Sequence, residues 1–385
     1  MRTPIRLTVL TTLALAAANL SAQDRPEQIA RKVTVLDLSG SPAERGFAHG
    51  QALKAQIREN LRAFKLDLEK TYKIEAKTFL QRFLADTDFI PAIEKWTPGL
   101  LDEVRGIAKG AEVPFDEVYA FQLADEIWSM GNWTLRDKCT AVAVDRRGDQ
   151  PTLVAQNMDL PRFYHKVPTL LRVRREGGPD TMVLTCPGLI GVNGMNSASV
   201  AICCNTLLQL RPSREGLPCL FVVRGVLERR SLAEAEAWLK RIPHAVGQNY
   251  TLGGTAHARA FECSAGAKIE FRPDPKGDFT YHTNHPLVNT DWHPDYVARC
   301  QKVDKLPQQG LRICHRFAAL EQRVGRGQPI TIETIQATLA SKDHAPGSIC
   351  GDWNYCCTIF VLKDKPVLLM APGRPDRVAF QRFTF

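Results

Sequence analysis

The sequence lacks several patterns that would place a chain in a well-marked class. It has no Cys-x-x-Cys spacing, which disfavours a zinc site or a thioredoxin-like redox centre. After residue 22 it has no apolar run long enough to span a bilayer, so we expect no integral membrane segment. It also lacks internal repeats and low-complexity stretches. Its net charge of +9 is dispersed, without a basic stripe carrying interleaved aromatics, so we expect no nucleic-acid partner.

The first 22 residues have the pattern of a secretory signal. Arg2 and Arg6 provide a positive start, residues 7–20 are mostly apolar, and residues 20–22 form a plausible cleavage site. A membrane anchor is the alternative, but the apolar stretch is short and rich in threonine. We therefore predict an exported protein, periplasmic or extracellular, whose mature chain begins at Gln23.

The chain contains eleven cysteines, an odd number. In an exported protein, ten of them can pair in disulfides while one remains free as a nucleophile. Two adjacent pairs, at residues 203–204 and 356–357, are awkward for simple bridging, and several cysteines lie in apolar runs that favour buried thiols. The count alone leaves both possibilities open.

Helix and strand signals divide the chain near residues 136–138. From about residue 41 to residue 129 the pattern is helical, whereas strand-like runs dominate after Cys139. Two predicted helices, at about residues 231–241 and 331–340, interrupt those strands. The predicted fold class is therefore α+β. The predicted division is a signal peptide at 1–22, a helical pro-segment or small subunit at 23–138, and a catalytic domain at 139–385.

Cys139 stands at the head of the clearest strand pair. An alternating apolar run follows it, a polar turn occupies residues 145–151, and a second apolar run ends in Asn157 and Asp159. We expect Asn157 and Asp159 to point to the face that carries Cys139. If the backbone is cut before Cys139, that residue supplies both a thiol nucleophile and an α-amine base. The alternative is a structural thiol buried at the start of a strand.

Two asparagines are candidate donors to an oxyanion. Asn205 ends an apolar strand that follows the glycine-rich residues 188–194, and Asn249 opens a strand after Gly247. A side-chain amide at such a position can donate a hydrogen bond to developing negative charge. The commoner role of a single asparagine is in a turn, which is the alternative at both positions.

Histidines add two weaker possibilities. His282 and His285 are three residues apart, but no carboxylate or cysteine follows at ligand spacing, so we expect no metal site. His344 lies close to Cys350 in the sequence. A papain-like Cys-His enzyme that uses Cys350 or Cys139 therefore stays open as an alternative, although no papain-type local sequence is present.

Seven short motifs, taken in their order along the chain, are similar to those of one family. The motifs are residues 46–50, 139–140, 156–159, 188–196 with Asn205, 248–250, 282–285, and 343–344 with 348–350. The sequence resembles the acyl-coenzyme A:isopenicillin N (6-aminopenicillanic acid) acyltransferase family, a branch of the cysteine N-terminal-nucleophile (Ntn) hydrolases. The resemblance spans about residues 44 to 360.

The resemblance implies a four-layer αββα Ntn-hydrolase sandwich, preceded by a helical pro-segment, that cleaves itself before its nucleophile. By position, it implies that Cys139 is the nucleophile and that Asp159 is the catalytic aspartate. Asn249 matches a residue that stabilises the tetrahedral intermediate. Asn205 falls where the more distant bile-salt and penicillin V hydrolases place an oxyanion asparagine.

Other residues of the same motifs complete the expected site. Thr140, Asn157 and His285 are expected to bind substrate, and the resemblance implies no cofactor and no metal. The chain also departs from its relatives. Lys138 stands where the fungal acyltransferase has glycine, and Gln156 stands where the related amidases have arginine, so an arginine role does not transfer to that position.

Together these observations predict an exported, self-processing cysteine Ntn hydrolase. It is expected to cleave a linear C–N amide bond through an acyl-thioester on Cys139, with acyl transfer to an amine as a variant. Its partners are expected to be a small-molecule amide or acyl donor, and the two fragments are expected to stay associated. The alternatives are a bile-salt or penicillin V type of amidase and a non-catalytic binding protein on the same fold. The long segment ahead of Cys139 argues against the bile-salt type, whose nucleophile follows the initiator methionine.

Overall fold

The computed structural model describes residues 31–130, 139–161, 164, 168–311, 314–325, 329–343 and 347–385. The predicted signal peptide, Lys138 and His344 lie outside these described residues. Within them, no helix combines the length and the apolar character needed to cross a membrane.

The described segment ahead of Cys139 contains a strand as well as the predicted helices. Its elements are β1 Thr34–Leu38, α1 Pro42–Ala52, α2 Lys54–Tyr72, α3 Ala76–Ala85, α4 Ile90–Trp96, α5 Leu100–Ala111, α6 Phe115–Gln122 and α7 Ala124–Met130. Helix α1 begins at a capping box, because the Ser41 hydroxyl accepts from the Glu44 amide while the Glu44 carboxylate accepts from the Ser41 amide. Ahead of the residues with the predicted helical pattern, five residues form a strand.

Helices α1 and α5 touch through glycines. A Cβ atom placed on Gly46 would lie 1.9 Å from the carbonyl oxygen of Glu103, and one on Gly106 would lie 2.3 Å from that of Ala43. Gly50 and Gly110 make equally close approaches one turn further along. Only glycine permits this close backbone contact. The contact sets the position of α5 against α1, and α6 and α7 follow α5 in the chain.

The chain from Cys139 onward supplies most of two sheets. Its strands are β2 Thr140–Val144, β3 Thr152–Asp159, β4 Thr169–Val173, β5 Thr181–Thr185, β6 Asn193–Asn196, β7 Ala201–Thr206, β8 Gln248–Gly253, β9 Ala258–Cys263, β10 Lys268–Phe271, β11 Phe279–His282, β12 Asn354–Leu362, β13 Val367–Ala371 and β14 Gln381–Phe383. One sheet has the order β1-β4-β5-β6-β7-β8-β9-β10, and the other has the order β11-β2-β3-β12-β13-β14. Strand β1 joins the first sheet by pairing in parallel with β4.

Helices cover both outer faces of the paired sheets. The helices after Cys139 are α8 Cys219–Val226, α9 Leu232–Arg241, α10 Pro294–Gln301, α11 His315–Val324 and α12 Ile332–Leu339. Helices α8 and α9 pack on β7 and β8, whereas α12 packs on β3 of the other sheet. Since β2 and β3 also contact β7, β8 and β9, the sheets lie face to face. The predicted α+β class and αββα layering are confirmed.

The hairpin of β2 and β3 separates two hydrophobic cores. Ala143 and Val154 belong to the core between the sheets, whereas Val142 and Ala155 belong to the core beneath α11 and α12. Alternate residues of a strand point to opposite faces, so each strand serves both cores. This alternation decides on which side of the sheet each predicted site residue lies.

Candidate active site

Cys139 lines a cleft between the sheets and the preceding helices. It precedes β2, and because Thr140 pairs with Asn157, Cys139 stands opposite Met158 on β3. Its Sγ lies 3.3 Å from Met158 Sδ and 3.9 Å from the carbonyl oxygen of Asp159. The residue is 4% exposed. The thiol is therefore sheltered from bulk water and borders an open cavity.

We call this cavity the Cys139 cleft. Its lining is mostly apolar and comes from elements that precede and follow Cys139 in the sequence. Its lining residues are Phe121, Gln122, Ala124, Asp125, Trp128, Cys139, Met158, Asp159, Leu160, Tyr164, Leu189, Val192, Cys204, Thr206 and Leu220. The cleft holds about 530 Å³ of empty volume, including its opening to solvent. A mostly apolar concavity with a few polar groups is the usual form of a small-molecule site.

Asp159 borders the same cleft as Cys139. It ends β3 opposite Asn354, where a bulge interrupts the pairing with β12. The Asn354 side-chain amide donates to its carboxylate, which is almost buried. The structure thus brings the predicted nucleophile and the predicted aspartate together, with Asn354 as a partner that the sequence did not indicate.

The prediction that Asn157 shares the Cys139 face is wrong. Asn157 lies opposite Thr140, so both side chains point toward α12 and the loop that follows it. The Asn157 amide donates to the carbonyl oxygens of Leu339 and Ile349, at 2.8 and 3.1 Å. Asn157 therefore ties the helical layer to β3 and does not line the Cys139 cleft.

Asn205 and Asn249 are brought together as a cross-strand pair. They are directly opposite in β7 and β8, and Asn249 Nδ2 donates to Asn205 Oδ1 over 3.2 Å. Both side chains are fully buried, and Asn205 Nδ2 has no hydrogen-bond partner among the described residues. The adjacent side chains of β7, Cys204 and Thr206, line the Cys139 cleft. An unsatisfied buried donor is uncommon and calls for an acceptor.

Arg316 is a site residue that the sequence analysis missed. Its Nη1 donates to the carbonyl oxygen of Cys139 over 2.5 Å and to Thr140 Oγ1 over 3.0 Å. Its Nη2 donates to Asn284 Oδ1, and Asn284 Nδ2 in turn donates to the carbonyl oxygen of Thr206. Thr140 therefore holds Arg316 behind the cleft, and this chain of contacts ties the start of β2 to the end of β7.

His285 lies outside the Cys139 cleft. Its Nδ1 lies 3.0 Å from Thr283 Oγ1, and its ring packs edge-on against Phe317. It lines a second cleft together with Cys314 and Arg316. The neighbouring His282 is instead buried against Glu262, so the two histidines share no ligand position.

The cysteines form no disulfides among the described residues. All eleven are described, and all are free thiols in the structure, so of the two possibilities that the count left open the structure has unpaired cysteines. Cys350, the alternative nucleophile, donates to the carboxylate of Asp376 over 3.0 Å. Burial and this hydrogen bond raise the pKa of the Cys350 thiol to about 12, which disfavours a thiolate there.

Comparison with known proteins identifies the family. Residues 146–342 match the family "Acyl-coenzyme A:6-aminopenicillanic acid acyl-transferase". The chain is 30% identical to the 40 kDa form of acyl-coenzyme A:6-aminopenicillanic-acid-acyltransferase from Emericella nidulans, over 81% of this chain and 82% of that protein. It is 25% identical to an uncharacterized protein from Archaeoglobus fulgidus, over 57% of this chain and 41% of that one.

Among solved structures the chain is similar to an acid amidase ortholog and to a penicillin V acylase. A Caenorhabditis elegans N-acylethanolamine-hydrolyzing acid amidase ortholog has 16% identity and a TM-score of 0.43, covering 64% of this chain and all of that one. Penicillin V acylase from Agrobacterium tumefaciens has 11% identity and a TM-score of 0.35, covering 61% of this chain and 82% of that one. On the family match and the similarity to the Emericella enzyme, this chain belongs to the acyl-coenzyme A:6-aminopenicillanic acid acyl-transferase family.

Proposed function

We propose that this enzyme cleaves a linear amide bond of a small molecule through an acyl-thioester on Cys139. Before that, the chain cuts itself between Lys138 and Cys139, which frees the α-amine of the nucleophile. The observation that carries the proposal is the position of the Cys139 thiol, which lies beside Asp159 at a largely apolar cleft. A thiol and an α-amine on one residue form a nucleophile and its base.

The reaction begins when the α-amine of Cys139 takes the thiol proton. The thiolate then attacks the amide carbonyl carbon, and the developing oxyanion needs hydrogen-bond donors. Asn205 Nδ2 is a buried donor that needs an acceptor, and Asn249 holds that side chain across the strand pair. The amine leaves as the acyl-thioester forms, and water releases the acid. In the variant reaction, a second amine takes the acyl group.

Arg316 acts on the backbone of the nucleophile in this scheme. Its hydrogen bond to the Cys139 carbonyl fixes the peptide group next to both reacting atoms, the sulfur and the α-nitrogen. Asp159 lines the same cleft as the thiol, and its main-chain carbonyl lies 3.9 Å from the sulfur. Precise placement of this kind is worth several orders of magnitude in rate for well-oriented groups.

The lining of the Cys139 cleft favours an apolar acyl group. Phe121, Trp128, Leu189 and Leu220 are among its residues. Asp125 provides a carboxylate at the same cleft, held by Thr206 and by Gln248 Nε2 at 2.8 Å. The Emericella relative is named as an acyltransferase, which supports transfer to an amine as the variant.

The two fragments are proposed to remain associated after cleavage. Helices α6 and α7, which precede the cut, supply a third of the cleft lining. Glu103 of α5 also binds Arg224 of α8 through two buried hydrogen bonds of 2.6 and 3.0 Å. Separation would leave these charges buried without partners, which is strongly destabilising. The proposal also includes export, on the signal pattern of residues 1–22.

A panel of N-acyl amides tests the proposal. Purified protein is incubated with amides of graded acyl chain length, and released amine is measured beside the intact mass of the protein. We expect turnover that improves with longer apolar chains, and an acyl adduct on Cys139 that hydroxylamine removes. Cys139→Ala is the control and should give neither signal. Binding without an adduct or product would instead indicate a non-catalytic binding protein on this fold.

A further inference from the structure

A second cleft lies on the other side of Arg316 and contains its own thiol. We call it the Cys314 cleft. It is formed by the loop after β11, the start of α10 and the start of α11, and it holds about 1170 Å³ of empty volume, including its opening. Its lining residues do not include Cys139. The proposed amide chemistry makes no use of this cavity.

Cys314 has the surroundings of a reactive thiol. It is the N-cap residue of α11, and its Sγ lies 3.2 Å from Thr283 Oγ1. The same Thr283 hydroxyl lies 3.0 Å from His285 Nδ1, so a thiol, a hydroxyl and an imidazole meet at one point. Of the eleven cysteines, all of which are described, Cys314 alone is partly exposed. A thiol with an adjacent base that a third group orients is the usual arrangement of an activated nucleophile.

The electrostatic surroundings favour the thiolate of Cys314. Burial raises the pKa of this thiol, but the hydrogen bond with His285, the charge of Arg316 and the contact with Thr283 outweigh burial and lower the pKa to about 7. The charged and titratable groups that act on the thiol are thus His285 and Arg316. The thiol therefore ionises at a lower pH than an ordinary thiol, whose pKa is about 8.5.

A buried amide gives independent evidence of a ligand site. Gln209 lines the Cys314 cleft and is only 5% exposed. Its Nε2 donates to the carbonyl oxygen of Asn284 over 3.1 Å, but its Oε1 has no hydrogen-bond partner among the described residues. A buried acceptor without a donor carries a free-energy cost, which an N–H group of a ligand would remove.

The charge of the lining selects the kind of ligand. The ionisable side chains that line the Cys314 cleft are Arg316, His285, Tyr296 and Cys314 itself. No carboxylate is among the described lining residues. Such a cleft favours an anionic molecule. The acceptor on Gln209 favours one that carries amide N–H groups.

We propose that Cys314 is a second reactive thiol of this protein, and that it exchanges with a small anionic, peptide-like disulfide bound in the Cys314 cleft. His285 takes the proton of the thiol. The Cys314 sulfur attacks one sulfur of the disulfide, a new S–S bond forms, and the original S–S bond breaks. The other half leaves with the electron pair as a thiolate and takes up the proton. No further oxidant is required.

The test uses oxidised glutathione as the probe and the wild-type protein in its purified form. Adducts are located by peptide mapping, so that reaction at Cys139 is counted separately, and initial rates are measured from pH 5 to 9. We expect one half of the disulfide on Cys314 and a rate that rises with pH around a midpoint near 7. Cystamine, a cationic disulfide of similar chemistry, should react more slowly.

Variants separate the proposal from a merely accessible thiol. Cys314→Ser should abolish this adduct, and His285→Gln should move the midpoint upward toward that of an ordinary thiol. Cys350→Ser is the matched control and should change neither rate nor midpoint. If His285→Gln does not fold, Thr283→Val tests the same contact. An adduct absent from Cys314, a midpoint near 8.5 in the wild-type protein, or faster reaction with cystamine would overturn the proposal.

Discussion

Arg316 binds the main-chain carbonyl of Cys139, a residue 177 positions earlier in the chain, through a 2.5 Å hydrogen bond. The same guanidinium binds Thr140 and Asn284, and it is almost entirely buried. A buried arginine needs several partners, and here those partners belong to the start of β2 and the loop after β11. The orientation of the proposed nucleophile is therefore set from the helical layer as well as from its own strand.

Cys139→Ala should yield a folded, uncut and inactive protein. The substitution removes the sulfur required both for self-cleavage and for turnover, whereas the small side chain still fits at the start of β2. Gel electrophoresis, circular dichroism and an amidase assay measure the three properties. Cys139→Ser retains a hydroxyl nucleophile and should cleave slowly. Activity in Cys139→Ala would assign the chemistry to another residue.

Arg316→Met should lower kcat on the order of 100-fold, because a misplaced nucleophile loses its alignment with the substrate. The matched control is Arg323→Met on the same helix, where the guanidinium pairs with Asp343 at the partly exposed surface. That control should stay within about twofold of wild type, since exposed ion pairs contribute little. Equal activities of the two variants, measured as kcat on the same substrate, would contradict a role of Arg316 at the site.

Asn249→Ala should lower kcat more than it raises KM. The Asn249 amide holds the candidate donor Asn205, and losing one oxyanion donor costs about 2.7–4 kcal/mol in the transition state. Steady-state kinetics separate the two parameters, and a thermal unfolding scan checks that the buried substitution leaves the fold intact. An increase in KM with unchanged kcat would make Asn249 a substrate-binding residue instead.

Stability should fall as the pH decreases from about 6.5 to about 4, partly because of His49. Burial, opposed by Glu103 and reinforced by Arg224, lowers the pKa of His49 from 6.5 to about 4. The unfolded chain therefore binds a proton in this range that the folded chain does not, so unfolding is favoured as pH falls. Above about 6.5 the residue is neutral in both states and the effect is absent.

His49→Gln isolates this contribution. The imidazole accepts a hydrogen bond from the Gly188 amide, and a glutamine carbonyl can accept the same bond without titrating. Urea unfolding midpoints measured at pH 7 and at pH 4.5 should differ less in the variant than in wild type. If the midpoint shifts between the two pH values by the same amount in the variant and in wild type, His49 is not the titrating group.

Local sequence patterns predicted much of the fold. The alternation and polar turn after Cys139 correctly predicted the hairpin of β2 and β3, and Ser231 correctly marked the start of α9, where it caps the Glu234 amide. Helix α8 was missed because residues 219–223 are apolar and include two valines, a pattern shared by buried strands. Helix and strand are not distinguishable by periodicity in such a run.

The site was less accessible to sequence reasoning because its contacts are long-range. Asn157 was predicted on the wrong face of the sheet. In the register of β2 and β3 it pairs with Thr140, so its side chain does not share the face of Cys139. Nothing in the sequence around Arg316 connects it with Cys139, a residue 177 positions away. Asn205 and Asn249 were recognised individually, but their pairing depends on the register of β7 and β8.

Intact-mass measurement of the purified protein tests the central claim, that Cys139 becomes an N-terminal nucleophile, most directly. Cleavage before Cys139 should give a fragment of about 27.5 kDa, scaled by length from the 42.9 kDa of the whole chain, because the mechanism requires a free α-amine. Its N-terminal residue should be Cys139, and after incubation with a slow substrate it should carry the mass of one acyl group. A catalytically active protein that remains a single chain across Lys138 and Cys139 would contradict this account.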